Sequence, residues 1–121
     1  MNEGNYVQIV KIKMHALARE VYRLSKTFPK DELFAATSQL RRAALSVPLN
    51  FIEGYARRRR AVKLNFWETS YGSLKETQYL LYFAYTENWI AKEDYTKTNS
   101  DCDEIAAMLW RAIESIKSEH V

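Results

Sequence analysis

The chain has 121 residues, 47% of them hydrophobic and 27% charged, a balance that fits one ordinary globular domain over residues 1–121 and leaves no room for a second core. Its formal net charge of +3 hides a division: residues 1–64 carry 13 Lys and Arg against 5 Asp and Glu, and residues 65–121 carry 5 against 10. No window approaches the roughly 20 consecutive apolar residues of a membrane helix. The N-terminus lacks the apolar core of a secretory signal, and the lone Cys102 has no partner for an internal disulfide. A cytoplasmic protein without membrane contact is expected. The charge asymmetry fits an anionic partner for the basic half, or mutual neutralisation of the two halves within an assembly.

With only three Gly and two Pro, the chain has few breakers and reads as long helices joined by short connections. From Ile9 to about Lys26, the residues Ile9, Ile12, Ala16, Leu17, Val21 and Leu24 recur mostly three and four apart and make one apolar stripe. This first helix stops at "TFPKDE", where Pro29 disfavours helical geometry at Phe28 and Asp31 can cap a new start. Helix two is expected from about Glu32 to Arg58 and helix three from about Ala61 to Glu87. A fourth begins near "AKEDY", with a heptad-like series in Tyr95, Thr98, Cys102, Ile105, Leu109, Ala112 and Ile116. The fold class is therefore all-α: an up-down-up-down antiparallel four-helix bundle in which helices two and three are the long ones.

Helix two is unusual around its circumference. Leu33, Ala36, Leu40, Ala43, Ala44, Val47, Phe51 and Tyr55 share the side expected to face the bundle. Ser38, Arg42, Ser46, Asn50, Glu53 and Arg57 form a second stripe, which reads either as a solvated face or as a partly buried hydrogen-bonding seam fixing helix register. Pro48, inside the helix, removes a donor and predicts a kink. Phe34, Leu45, Leu49 and Ile52 fall on a third sector, and helix three places Tyr79, Tyr82 and Phe83 to one side of its main stripe. Gly72 costs about 1 kcal/mol against Ala in a helix, suggesting that another backbone or bulky group approaches there. Two helices with more apolar surface than one small bundle can cover predict other copies of the chain as the cover. The expected interface comprises Phe34, Leu45, Leu49, Ile52, Gly72, Tyr79 and Phe83.

Five spaced elements then occur in order: Phe28, Pro29 and Glu32; Gln39, Arg41, Arg42 and Ala43; Ser46, Pro48 and Asn50; Glu53 and Gly54; Gly72, Ser73 and Glu76. On these the chain resembles the four-helix-bundle family of the 23S ribosomal RNA intervening-sequence proteins. One departure is "NFIEG", whose Phe51 and Ile52 are bulkier than the family's usual Ile-Ala and leave local packing open. The resemblance implies a protomer that assembles into a ring-shaped homopentamer. It also implies association with ribosomal RNA insertions or, in a related branch, with the reverse transcriptase and RNA of diversity-generating retroelements. It brings no catalytic residues.

His15 and His120 have no second His, Cys or clustered acid at a metal-ligand spacing, and no HExxH, CxxC or Gly-rich phosphate loop occurs. "DCDE" at 101–104 lacks the glycine and spaced ligands of a calcium loop. Neither enzymatic activity nor a cofactor is expected, a nuclease being the least favoured class. Arg57, Arg58, Arg59 and Arg60, with Lys63 following, are the candidates for nucleic-acid binding, because guanidinium groups take phosphate bidentately. The plainer reading is a solubilising corner that suits the C-terminal dipole of helix two. The functional expectation is a non-catalytic RNA-binding oligomer, with a protein scaffold, such as a partner for a reverse transcriptase, as the alternative.

Overall fold

A computed structural model describes residues 2–118. Four helices pack in sequence order, α1 (Glu3–Ser25), α2 (Ser38–Tyr55), α3 (Arg60–Thr86) and α4 (Lys92–Ser118), and α1 also packs on α4 to close the bundle. His120 lies outside the described residues. The most extensive packing is between α2 and α3.

Local chemistry explains the ends. Asn2 caps α1 by accepting from the Asn5 amide at 2.8 Å. At the end of α3, Asn88 takes a positive φ of 64°, the Asn88 amide donates to the Tyr85 carbonyl, and the Trp89 amide donates to that of Ala84. This pairing satisfies carbonyls that a helix end otherwise leaves free, and it turns the chain sharply into α4. Trp89 then packs its ring between Phe28 and Phe83, holding the α1 exit against the end of α3.

Helix two departs from expectation at its start. Pro29 leads into a single 3-10 turn (Lys30–Glu32), followed by a π turn (Leu33–Thr37) broken at Ala35 (φ −123°, ψ −106°). Glu32, not Asp31, supplies the capping carboxylate, to the Ala36 amide. The wider π turn shifts the helical phase, so Thr37 faces the core while Leu33 and Phe34 point outward. The regular part of α2 is accordingly the shortest helix at 18 residues, and the longest are α3 and α4 at 27 each. At about 1.5 Å per residue, 27 residues extend about 40 Å. The α-helix runs on through Pro48. Side-chain donors cluster just beyond it, where Asn50 reaches the Ser46 carbonyl and Ser70 that of Val47.

The core confirms the α4 series from Thr98 to Ile116 as buried, with Tyr95 at its edge. The stripe expected on α1 is displaced. Val7, Val10, Met14, Leu17, Val21 and Leu24 are buried, whereas Ile12 is 58% exposed and Ala16 is also exposed. Both rows are apolar at helical spacing, and only packing decides between them.

Cys102 sits fully buried in this core, and burial, with the carboxylates of Asp103 and Asp101 acting in the same sense, pushes its thiol from an ordinary 9.0 up to about 12. A thiol reagent at pH 8 is expected to modify native protein at least tenfold more slowly than denatured protein, which a spectrophotometric thiol assay with and without denaturant measures.

Candidate nucleic-acid interface

The α2–α3 seam sets the geometry of the corner that follows it. Ser46 and Ser73 share a hydroxyl hydrogen bond of 2.8 Å, and Asn50 donates from Nδ2 to the Ser46 hydroxyl at 2.7 Å and to its carbonyl at 2.9 Å. Deeper in, the buried Ser70 hydroxyl donates to the Val47 carbonyl at 2.7 Å, and Trp67 Nε1 donates to that of Phe51 at 3.0 Å. Arg41 donates to the buried Ser25 hydroxyl at 2.8 Å and lies over the Tyr22 ring, tying α2 to α1. Of the residues expected in the polar stripe, Ser46 meets α3 through Ser73, Asn50 holds Ser46 from within α2, and Glu53 pairs with Arg57. Ser38 is half-buried and Arg42 exposed, and neither side chain makes a hydrogen bond among the described residues.

Gly54 explains the close approach of α3. A Cβ on it would lie 2.5 Å from Trp67 Cδ1 and 3.0 Å from Phe66 Cβ. The Trp67 ring fills the space this glycine leaves and stacks on Phe51, centroids 5.0 Å apart and planes at 21°. The bulky Phe51 is therefore a buried packing residue, and Ile52 turns outward. Gly72 is the reverse case, since a Cβ there meets nothing within 4 Å; the close approach expected at Gly72 does not occur within the protomer.

α2 ends at Tyr55 and α3 begins at Arg60, so the four arginines form the corner. Arg57 reaches back to the Glu53 carboxylate at 3.0 Å, with its guanidinium 5.1 Å from the centre of the Phe66 ring. Arg58 and Arg59 are exposed, and Arg59 occupies the capping position of α3 with no side-chain cap. Arg60 is half-buried, and its Nη1 is fully buried without a hydrogen-bond partner among the described residues. The Lys63 ammonium lies 5.5 Å from the centre of the Tyr55 ring and 5.7 Å from that of Trp67. The first turn of α3 holds no acidic residue, so cations crowd a positive dipole end that favours an anion. The arrangement can bind phosphate oxygens. Among the described residues no group of three or more His, Cys, Asp or Glu is placed to hold a metal ion, and no helix is long and apolar enough to cross a membrane.

The outer surfaces of α2 and α3 carry Leu49 (63% exposed) and Tyr79 (61%), with Leu45, Ile52 and Phe83 also exposed, and Phe34 (94%) stands out from the π turn before α2.

Fold and corner together define an all-α four-helix bundle whose second and third helices meet at a basic turn. Residues 8–111 match the family described as 23S rRNA-intervening sequence protein, and the chain belongs to that family. It is also similar, at 25% identity and a TM-score of 0.83, to the crystal structure of a protein of unknown function from the S23 ribosomal protein family of Bacteroides thetaiotaomicron. The likeness covers 90% of this chain and 98% of the other. No curated protein matches the chain.

Proposed function

We propose that the protein is a non-catalytic, homo-oligomeric RNA-associated protein that binds structured RNA of the 23S rRNA intervening-sequence type through its arginine corner. The observation that carries this reading is the set Arg58, Arg59, Arg60 and Lys63 at the uncapped start of α3, none in an ion pair among the described residues. Membership of a family described by its relation to 23S rRNA supports RNA as the anion. The exposed apolar sectors of α2 and α3 support self-association, for which the resemblance implies a homopentamer. A ring would repeat the corner by symmetry and turn weak local attraction into avidity.

Replacing Arg58, Arg59 and Arg60 together by Ala is expected to weaken binding of a 23S rRNA fragment by at least about tenfold at low salt. The slope of log affinity against log salt should fall by about two to three, roughly one for each phosphate no longer neutralised. Fluorescence anisotropy at several salt concentrations reads both, with light scattering to show that assembly is kept. Salt-insensitive binding, or an unchanged slope in the variant, would reject the corner as the interface. The exposed aromatic rings of Tyr79, Tyr82 and Phe83 favour a second reading, a scaffold docking a protein such as a reverse transcriptase. A pull-down that recovers RNA and no such protein counts against it.

A further inference from the structure

Beside the corner, where α1 begins and α4 ends, lies a cleft of about 600 Å³, within the range of small-molecule sites, about 300–1,000 Å³. Its lining combines two chemistries. Arg58, Arg60, Lys63 and Arg111 are its cations, with Glu3 the acidic residue present. None of the four cations is in an ion pair among the described residues. Arg60, one of these four, is half-buried, and its Nη1 has no hydrogen-bond partner among the described residues. Tyr6, Val7, Trp67 and Ile116 supply an aromatic and aliphatic part. The Tyr6 hydroxyl donates to the Met108 carbonyl at 2.7 Å, which anchors the ring between α1 and α4.

We propose that this cleft holds one nucleotide of single-stranded RNA, its phosphate on Arg58, Arg60 and Arg111 and its base against Tyr6. Two requirements select that class. Uncompensated guanidinium groups call for an anion with several acceptor oxygens, which phosphate supplies bidentately. The volume and the aromatic and aliphatic surface exceed what inorganic phosphate fills, and a base has a face that stacks on an aromatic ring whatever its identity. The proposal rests on the reading of the corner as an RNA interface and deepens it: exposed Arg59 meets the backbone outside, and the cleft takes an unstacked nucleotide.

Adenosine 5′-monophosphate, adenosine and inorganic phosphate serve as probes, titrated at low salt and followed by amide chemical shifts. The nucleotide is expected to bind at least about tenfold tighter than either fragment, since it alone engages both parts of the cleft. Shifts should concentrate at residues 6–7, 60–63 and 111–116. Arg111→Ala and Tyr6→Leu should each weaken the nucleotide by about 5-fold or more, through removal of a charge-assisted hydrogen bond and of a stacking face. Arg19→Ala, exposed on α1 and outside both the cleft and the corner, should leave it unchanged. Arg111 is exposed on α4, so its variant keeps the core if Tyr6→Leu does not fold.

Phosphate binding as tightly as the nucleotide, or shifts elsewhere, overturns the proposal. RNA affinity that falls with Arg59→Ala but ignores Arg111→Ala and Tyr6→Leu overturns the cleft and keeps the corner. Nucleotide bound in the cleft without any RNA affinity supports the cleft's chemistry and overturns the RNA reading on which it was built.

Discussion

Trp67→Ala is expected to lower unfolding stability by about 3–5 kcal/mol, the range for deleting a fully packed aromatic side chain. Trp67 is only 2% exposed, stacks on Phe51 and donates to its carbonyl, so truncation opens a cavity and removes a buried hydrogen bond together. Gly54→Ala attacks the same contact from the other side. Its Cβ would stand 2.8 Å from Trp67 Nε1 and 2.5 Å from Cδ1, a rigid ring that cannot swing aside as a long side chain would. The expected loss is about 1–3 kcal/mol, as for other overpacked cores. Because each change addresses the other's partner, the two should not add: with the indole gone, the tight contact left to the new methyl is Phe66 Cβ at 3.0 Å. The double variant should lose clearly less than the sum of the two single losses. Urea unfolding at one fixed protein concentration tests all three, since association shifts apparent stability. Full additivity would show that Gly54 matters for some reason other than the ring.

That contact also shows what the sequence conveyed and what it withheld. Four helices were legible because apolar residues recur every three or four positions between few breakers, and the α4 series is buried from Thr98 to Ile116, although Ala106 and Ile113, outside that series, are buried beside it. On α1, Ile9, Ile12 and Ala16 compete with Val7, Val10 and Met14 at the same spacing, and the fold buries the second row. On α2 the helical spacing does not extend back through "DELFAAT", where the π turn shifts the phase. Between the glycines, Gly72 drew attention as an isolated helical glycine, yet the tight fit is at Gly54. Nothing local distinguishes them, because the ring that needs the space lies 13 positions further on in another helix. Ser70 and Ser73 were likewise missed as partners of α2, though their spacing with Thr77 was a signal: small polar residues three and four apart on an otherwise apolar helix. The arginine corner could be read directly because it is contiguous. Its neighbours Tyr6 and Arg111 could not, since only the meeting of α1, α3 and α4 brings them to it.

The outer surface of α2 and α3 supports the second large effect. Changing Leu49 and Tyr79 together to Asp is expected to convert an oligomer into a monomer of 14.2 kDa while leaving protomer stability within about 0.5 kcal/mol, the usual scale for exposed positions. Both side chains are more than half exposed, so neither supports the protomer core. In an assembly that covers them, each buried apolar side chain contributes about 1.5–3 kcal/mol, and a carboxylate in its place must be desolvated without a partner. In a ring the loss recurs at every interface, so a two-residue change should abolish association rather than weaken it. Light scattering on wild type and variant provides the mass, and a wild-type monomer would remove self-association from the proposed function. Gly72→Ala distinguishes a partner seated on this face from one elsewhere. Within the protomer the methyl is free, and the helix should gain about 0.5–1 kcal/mol from replacement of the glycine. If another copy's helix lies against Gly72, the same methyl must instead raise the concentration needed for assembly. A dilution series would then show the stabilised protomer associating less well, a pair of opposite changes that a purely local effect cannot produce.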